Sequence, residues 1–326
     1  MVIYAMQILV LALDGLFDTG LTATLDVFAT ANSLSTAMMG GGPRFDLSVV
    51  GIRGKVRSGL GLTIPVAAVK PDAKPDWVIV PALKTVTPET LLPALARPDV
   101  RRAVTQIAQW QATGARIAAA CVGTFLLAEA GVLDGREATS TWSLAPLFRQ
   151  RYPAIDLDES RMLVPTDVGV TAGSAMGHLD LALWLVRQAS PDLANLVSRY
   201  LLADIRSSQA PYIIPNHLAQ ADSLVLRFER WSREHLSEGF SLQGAAAALA
   251  TSPRSLQRRC QAVLGKSPLA YFQDLRVERA RSLIQGSGLG LDAIAAEVGY
   301  ADGATLSTLL RERLGRGVRE LRADLL

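Results

Sequence analysis

Over its first two hundred residues the chain alternates short apolar runs with longer stretches in which apolar positions recur every three to four residues. The runs at 7–13, 45–51, 77–80 and 116–120 are apolar or β-branched and predict strands. The stretches at 22–33, 99–111, 124–130 and 178–186 predict amphipathic helices. Such alternation predicts an α/β domain with a mostly parallel sheet and helices on both faces. Ser190-Pro191 opens one more helix, and Ser207-Ser-Gln-Ala-Pro211 with Pro215 then breaks the pattern. The reading is a domain over 1–205, a hinge over 206–220 and a second domain over 221–326.

Beyond the break only helical spacing remains. Leu224, Phe228 and Trp231 mark a first helix, and a common grammar then runs twice, at 241–264 and 289–314. In the first copy a small-residue helix starts at Ser241, suited to N-capping, and breaks at Thr251-Ser-Pro253; Pro253 opens the next helix. Over 253–264, Leu256, Cys260, Val263 and Leu264 share one face; Arg254, Arg258 and Gln261 lie opposite, with Gln257 at the edge. In the second copy a short helix closes at Gly299 and Asp302 can cap its successor. There Leu306, Leu309, Leu310 and Leu314 face inward, while Ala304, Thr308 and Arg311 face outward, flanked by Thr305.

Each copy reads as helix–turn–helix. A helix over 268–285 joins them and spans about 27 Å at ~1.5 Å per residue. Recognition helices entering successive major grooves on one side of a duplex stand about 34 Å apart, so the linker has the right order of length. Double-stranded DNA is the implied partner. The arginines suit guanine edges or phosphates, and threonine suits a thymine methyl.

Composition modifies this picture only slightly. The 326 residues, 49% hydrophobic, suffice for two cores. Net charge is only +3, but residues 222–326 hold 15 Lys and Arg against 12 Asp and Glu, a modest local excess for phosphate contact. Cys121 and Cys260, far apart, make no disulfide framework. The absence of a leader-like start and of any bilayer-length apolar run leads one to expect a reduced, cytoplasmic chain with no membrane contact. No close-spaced Cys/His pair suggests a metal, and Asp156-Leu-Asp-Glu159 reads as a solvated acidic turn. Gly265-Lys-Ser267 imitates the end of a phosphate loop without its first glycine and serves better as a turn. No cofactor is implied.

The most informative feature of the first domain is Ala118-Ala-Ala-Cys121-Val-Gly123, a buried-type strand ending in cysteine before a helix. This is the layout of a nucleophile elbow, where the helix N-terminus can lower a thiol's pKa. The other reading makes Cys121 merely a small residue at a tight junction. Of three histidines, His178 opens a helix and either lines a pocket near Cys121 or keeps one nitrogen in solvent; His217 and His235 read as linker or surface residues. Trp142, Trp184 and Trp231 read as core.

Several motifs carry a resemblance. Ser252-Pro-Arg-Ser-Leu-Gln-Arg258, Gly265-Lys-Ser-Pro268, Arg276-Val-Glu-Arg-Ala280 and Ile294-Ala-Ala-Glu-Val-Gly-Tyr300 resemble the AraC/XylS family of bacterial activators. Cys260, Leu306, Leu310 and Leu314 stand where that family usually has phenylalanine, and Gly317-Val318 replaces its Ser/Thr-Pro. These are mainly core exchanges, which bear on packing. The segment from Cys121-Val-Gly-Thr-Phe to Thr139-Ser-Thr-Trp142, together with Asp14-Gly15, Asp76-Trp-Val-Ile-Val-Pro81 and Thr171-Ala-Gly-Ser-Ala-Met-Gly-His178, resembles the ThiJ/PfpI superfamily, similar to class I glutamine amidotransferases and flavodoxin-like in fold. The two in this order resemble GlxA-family transcriptional regulators.

The resemblance implies a sequence-specific regulator, an activator by analogy, whose amidotransferase-like domain binds a small effector of nitrogen-rich kind. It also implies a homodimer and contact with RNA polymerase. Three departures argue against catalysis: Val122 replaces the histidine of proteolytic relatives, Gly20 replaces an aspartate of hydratase-like relatives, and Ala82-Leu83 replaces Gly-Gly. Asp18 lies two residues from the vacant position. Cys121, a vestigial nucleophile, is expected to border an effector pocket with Val122, Asp18, Ala82 and His178. The DNA contacts are expected from Arg254, Gln257, Arg258, Gln261, Thr305, Thr308 and Arg311. The rivals are a cysteine-dependent hydrolase or hydratase using Cys121, and an architectural DNA-binding protein with a vestigial first domain.

Overall fold

The structure is a computed structural model that describes residues 5–38, 42–70, 73–204 and 206–323. It divides into two compact units, one formed by 1–144 and 152–209, the other by 145–151 and 210–326. The stretch expected as a hinge is thus shared: 206–209 belong to the first unit and 210–220 to the second.

The strands of the first unit are β1 (Ala5–Ala12), β2 (Arg44–Gly51), β3 (Lys55–Arg57), β4 (Thr63–Pro65), β5 (Ala67–Ala68), β6 (Trp77–Val80), β7 (Arg116–Ala120), β8 (Glu137–Ala138), β9 (Asp156–Leu157), β10 (Leu163–Pro165) and β11 (Gly169–Ala172). Seven form one sheet in the order β10-β11-β7-β6-β1-β2-β5. Every pairing in it is parallel except β10 with β11. The helices are α1 (Asp18–Met38), α2 (Pro88–Ala96), α3 (Pro98–Ala112), α4 (Gly123–Glu129), α5 (Ala145–Arg151), α6 (Gly177–Ala189) and α7 (Pro191–Leu201), of which α5 groups with the second unit.

Period-2 alternation sends successive strand residues to opposite sides. Ile8, Val10, Ala12, Trp77, Ile79, Ala118 and Ala120 pack with α1, α6 and α7. The intervening Leu11, Val78, Val80, Ile117 and Ala119 are equally buried, on the side served by α3 and α4. Helices therefore cover both faces, as the run-and-period pattern predicts. Helix α1 is longer than the 22–33 expected, because its polar ends, Asp18-Thr19 and Thr36, continue the helix without contributing to the apolar stripe.

Strand order reverses between β1 and β6, and the loops after β1, β6 and β7 leave the sheet there. A crevice at such a switch point is where open α/β sheets bind ligands. Phe17 N–H donates to Ala82 O at 2.7 Å and Lys84 N–H to Gly15 O at 2.8 Å, tying the first two loops together.

The second unit continues with α8 (Pro215–Ala219), α9 (Ser223–Glu234), α10 (Leu242–Ala248), α11 (Pro253–Leu264), α12 (Pro268–Gly286), α13 (Leu291–Glu297), α14 (Gly303–Leu314) and α15 (Val318–Ala323). The Oγ atoms of Ser241, Ser252 and Ser267 cap α10, α11 and α12, and Asp302 caps α14. Leu256, Cys260 and Leu264 of α11 are buried, as are Phe228, Tyr271 and Phe272; Phe240 packs against Phe272 in a tilted arrangement with ring centroids 5.1 Å apart. A separate cluster of Val277, Ala280, Ile284, Ile294, Ala295, Val298, Leu306 and Leu310 holds the second copy. Each copy therefore has its own small core, and α12 contributes to both.

Candidate functional site

Strand β7 is buried along Ile117–Ala120 and ends at a turn that leaves little freedom. Cys121 takes φ +55°, a left-handed conformation rare for a side-chain-bearing residue. Its N–H is shared between Ala172 O at 3.0 Å and Gly173 O at 2.9 Å, and its carbonyl accepts from Ser140 Oγ at 2.8 Å. A Cβ on Gly123 would come within 2.4 Å of Val80 O, so α4 can start this close to β6 only on glycine. Strained turns of this kind collect at ligand and catalytic sites.

The chemistry of the thiol differs from the sequence expectation. Burial pushes Cys121 up to about 11, against smaller opposing pulls from the Val122 amide and the Thr141 hydroxyl. The seven-residue α4, whose N-cap Val122 makes no side-chain cap, does not offset desolvation. The thiol is thus held in its neutral, weakly nucleophilic form.

His178 is buried, and both its ring nitrogens are engaged. Nδ1 lies 2.7 Å from Ala175 O, which can only accept, so Nδ1 carries the proton; Nε2 then accepts from Ala82 N–H at 3.1 Å. Burial holds the imidazole down at about 4, outweighing the Ala175 carbonyl. Gly20 explains how the ring fits: a Cβ there would lie 2.8 Å from Nε2 and 2.9 Å from Cε1. The space that a side chain at position 20 would need is therefore filled by the histidine ring.

Among the expected pocket residues, the structure joins His178 to Ala82 by a hydrogen bond and Cys121 to Val122 through the turn. Asp18 is placed differently: its carboxylate accepts from Leu60 N–H at 3.0 Å and fastens the loop after β3. The Ala82 amide is already used by His178, and no lone pair of His178 is left to receive a thiol proton. The arrangement therefore offers the Cys121 thiol no free imidazole lone pair as a general base.

Sequence reasoning missed a buried polar knot beside the turn. Gln209 accepts through Oε1 from Ser174 N–H at 3.0 Å and Ser174 Oγ at 2.9 Å. Its Nε2 donates to Ser140 O at 2.8 Å and Thr139 Oγ1 at 3.1 Å. Thr141, whose hydroxyl slightly lowers the thiol's pKa, lies 3.5 Å from Ser174 Oγ. Gln209 ends a short strap that begins at Arg206, whose guanidinium pairs with buried Asp180 and donates to Met176 O. The Ser/Thr segments were visible within the cysteine-centred motif, but a lone glutamine in a turn carries no sequence signal.

On the second unit, Arg254, Gln257, Arg258 and Gln261 lie exposed on α11, and Thr305, Thr308 and Arg311 lie exposed on α14. The structure thus sets all seven expected contact residues on the outer faces of the two second helices, opposite their buried leucines. His235 stacks on Trp231 at 4.4 Å and Trp231 is half-buried.

Fold and site together define a two-part protein, a cysteine-elbow α/β domain joined to a paired helix–turn–helix domain. The chain belongs to the DJ-1/PfpI family, whose profile matches residues 6–188, and a helix-turn-helix domain profile matches residues 245–324. It is similar to the HTH-type transcriptional regulator ArgR of Pseudomonas aeruginosa, 28% identical over 239 residues, or 70% of this chain and 69% of that one. It is also similar to the HTH-type transcriptional regulator GlxA of Rhizobium meliloti, 26% identical over 236 residues, or 69% of this chain and 70% of that one. A crystal structure of an AraC family transcriptional regulator from Pseudomonas putida shares the fold over 60% of this chain and 99% of its own, with TM-score 0.50 and 23% identity. The combination of a DJ-1/PfpI domain with a helix-turn-helix domain is that of a DNA-binding transcriptional regulator. Among the described residues no helix is long and apolar enough to cross a membrane.

Proposed function

We propose that this protein is a cytoplasmic, sequence-specific transcriptional activator whose DJ-1/PfpI domain binds a small effector without turning it over. The observation that carries the reading is the exposed face of α11, where Arg254, Gln257, Arg258 and Gln261 stand free above a fully apolar buried face. With Thr305, Thr308 and Arg311 on α14 they form the DNA-contacting set. A homodimer would bring four such helices to paired half-sites, and contact with RNA polymerase would complete activation.

The effector, taken to be a small nitrogen-rich metabolite, sits at the switch-point crevice bordered by Cys121, Val122, Ala82, His178 and, at its outer loop, Asp18. Absence of turnover is supported by the neutral thiol and by a histidine and amide already spent on each other. Coupling has a physical route: a ligand that displaces Thr141 or Ser174 loosens Gln209, and the next residue in the chain belongs to the helical unit. Operator affinity should change by about 5- to 150-fold on effector saturation, the usual range for linked sites.

The test is a footprint of the full chain on the DNA flanking its own gene at two salt concentrations, beside Arg258→Ala and Arg311→Ala. Two neighbouring protected major-groove segments, weakened by salt and by either substitution, are expected. No protection at any salt would overturn the reading. The left-handed φ of Cys121 favours the hydrolase as the second reading; it requires hydrolysis or hydration of a small nitrogenous compound that Cys121→Ala abolishes.

A further inference from the structure

The two recognition helices hold the same place in their copies but present different chemistry. Helix α11 carries Arg254, Arg258 and Arg259 and no acidic residue, and its N-cap is the neutral Ser252. Arg259 is paired with Asp222, whereas the side chains of Arg254, Gln257, Arg258 and Gln261 have no hydrogen bond or ion pair among the described residues. Four long side chains with free donors, two of them also with an amide acceptor, are thus open to a partner.

Helix α14 is built otherwise. Over its first two turns the exposed residues are Ala304, Thr305 and Thr308. The Thr308 hydroxyl donates to Ala304 O at 3.1 Å. Asp302 Oδ1 accepts from Thr305 N–H at 2.7 Å, and the nearby Thr305 hydroxyl helps hold this carboxylate below its usual range, behind the backbone amide of Thr305. With these hydroxyls directed to their own helix and its cap, the threonines offer a partner their methyl groups and acceptor lone pairs, in place of the long free donors of α11. The charge balance differs too: Arg311 and Arg313 are set against Glu312, Arg313 is bound to Asp274 and Gln273, and the N-cap is a carboxylate.

Resting on the DNA-binding reading above, we propose that the two copies read different base chemistry. Helix α11 reads the hydrogen-bonding edges of purines, guanine through Arg254 or Arg258 and adenine through Gln257 or Gln261. Helix α14 reads the methyl groups of thymine through Thr305 and Thr308. The operator is then bipartite, with a strongly discriminated guanine- and adenine-dependent element under α11 and a thymine-dependent, weakly discriminated element under α14. The physical reason is that a bidentate pair to the wrong base leaves buried polar groups unmatched, whereas a lost methyl contact forfeits only apolar burial.

The test begins with selection of binding sequences from randomised duplexes by the full-length chain. The selected duplex is then rebuilt with 7-deazapurines, which lack the N7 acceptor, or with deoxyuridine for thymidine, which lacks the methyl. Purine substitution is expected to weaken binding about tenfold or more in one element and hardly in the other. Deoxyuridine is expected to act in the other element alone, about fourfold for each methyl removed. Exposed substitutions assign the helices: Gln257→Ala or Gln261→Ala removes sensitivity to 7-deazaadenine, and Thr308→Ser, which keeps the hydroxyl, removes part of the sensitivity to deoxyuridine. Equal sensitivity of both elements to 7-deazapurines, or no response to deoxyuridine, would overturn the division of labour while leaving DNA binding intact. Selection that returns no preferred sequence would instead overturn sequence-specific binding itself, and this inference with it.

Discussion

His178 offers the sharpest test of how the α/β domain is built. An ordinary imidazole titrates near 6.5, whereas burial holds this one at about 4. The unfolded chain therefore binds a proton in a pH range where the folded chain does not, so stability falls as the pH drops from about 6.5 towards 4 and is fully present above that window. The gap corresponds to about 3 kcal/mol at pH 4 and about 2 kcal/mol at pH 5. Protonation would also turn Nε2 into a donor facing the Ala82 amide, removing the hydrogen bond between them. With only three histidines in the chain, proton NMR resolves the ring signals, and His178→Gln identifies the one that disappears. That signal should stay at its neutral position from pH 7.5 to 5.5. Urea unfolding of the α/β domain should weaken more steeply with acidification in the parent than in His178→Gln. A His178 signal titrating near 6.5, or identical pH slopes for the two proteins, would refute the argument.

Other consequences are equally direct. Gln209→Leu keeps the volume but orphans Ser174 and Ser140, and should lower the stability of the α/β domain by about 3 kcal/mol in urea unfolding, with a loss under 0.5 kcal/mol counting against the buried knot. Arg206→Met leaves the buried Asp180 carboxylate without its guanidinium and should cost about 3 kcal/mol by the same measurement; an unchanged midpoint would mean the pair contributes little. Alkylation of Cys121 by iodoacetamide, read against Cys121→Ser, should accelerate about tenfold for each pH unit from 7 to 10, because the thiolate fraction grows towards a pKa of about 11. A rate that levels off by pH 7 would indicate an activated thiol instead.

Much of this protein is legible in its sequence because the signals are local. The run Arg116–Ala120 and the run Trp77–Val80 are strands at the bounds their apolar content implies. The helix Pro253–Leu264 is delimited by a serine cap, a first-turn proline and a closing glycine, each acting within one turn. The outward set of Arg254, Gln257, Arg258 and Gln261 followed from helical periodicity alone. By contrast, the hairpin-like pair Leu163–Pro165 and Gly169–Ala172 at the sheet edge is too short to show a period.

The sequence by itself determined the two-domain order, the cysteine elbow and the outward polar faces of the two second helices, since these rest on spacing, capping and side-chain type within a few residues. Only the tertiary structure decided what the elbow can do. Gly20, Ala82 and His178 are far apart in the chain, yet packing sets the ring against Gly20 and spends its lone pair on the Ala82 amide. Burial then moves the thiol and the imidazole in opposite directions, both towards their neutral forms, because desolvation penalises whichever form is charged. No local pattern encodes that outcome, since it depends on which surfaces the folded chain removes from water.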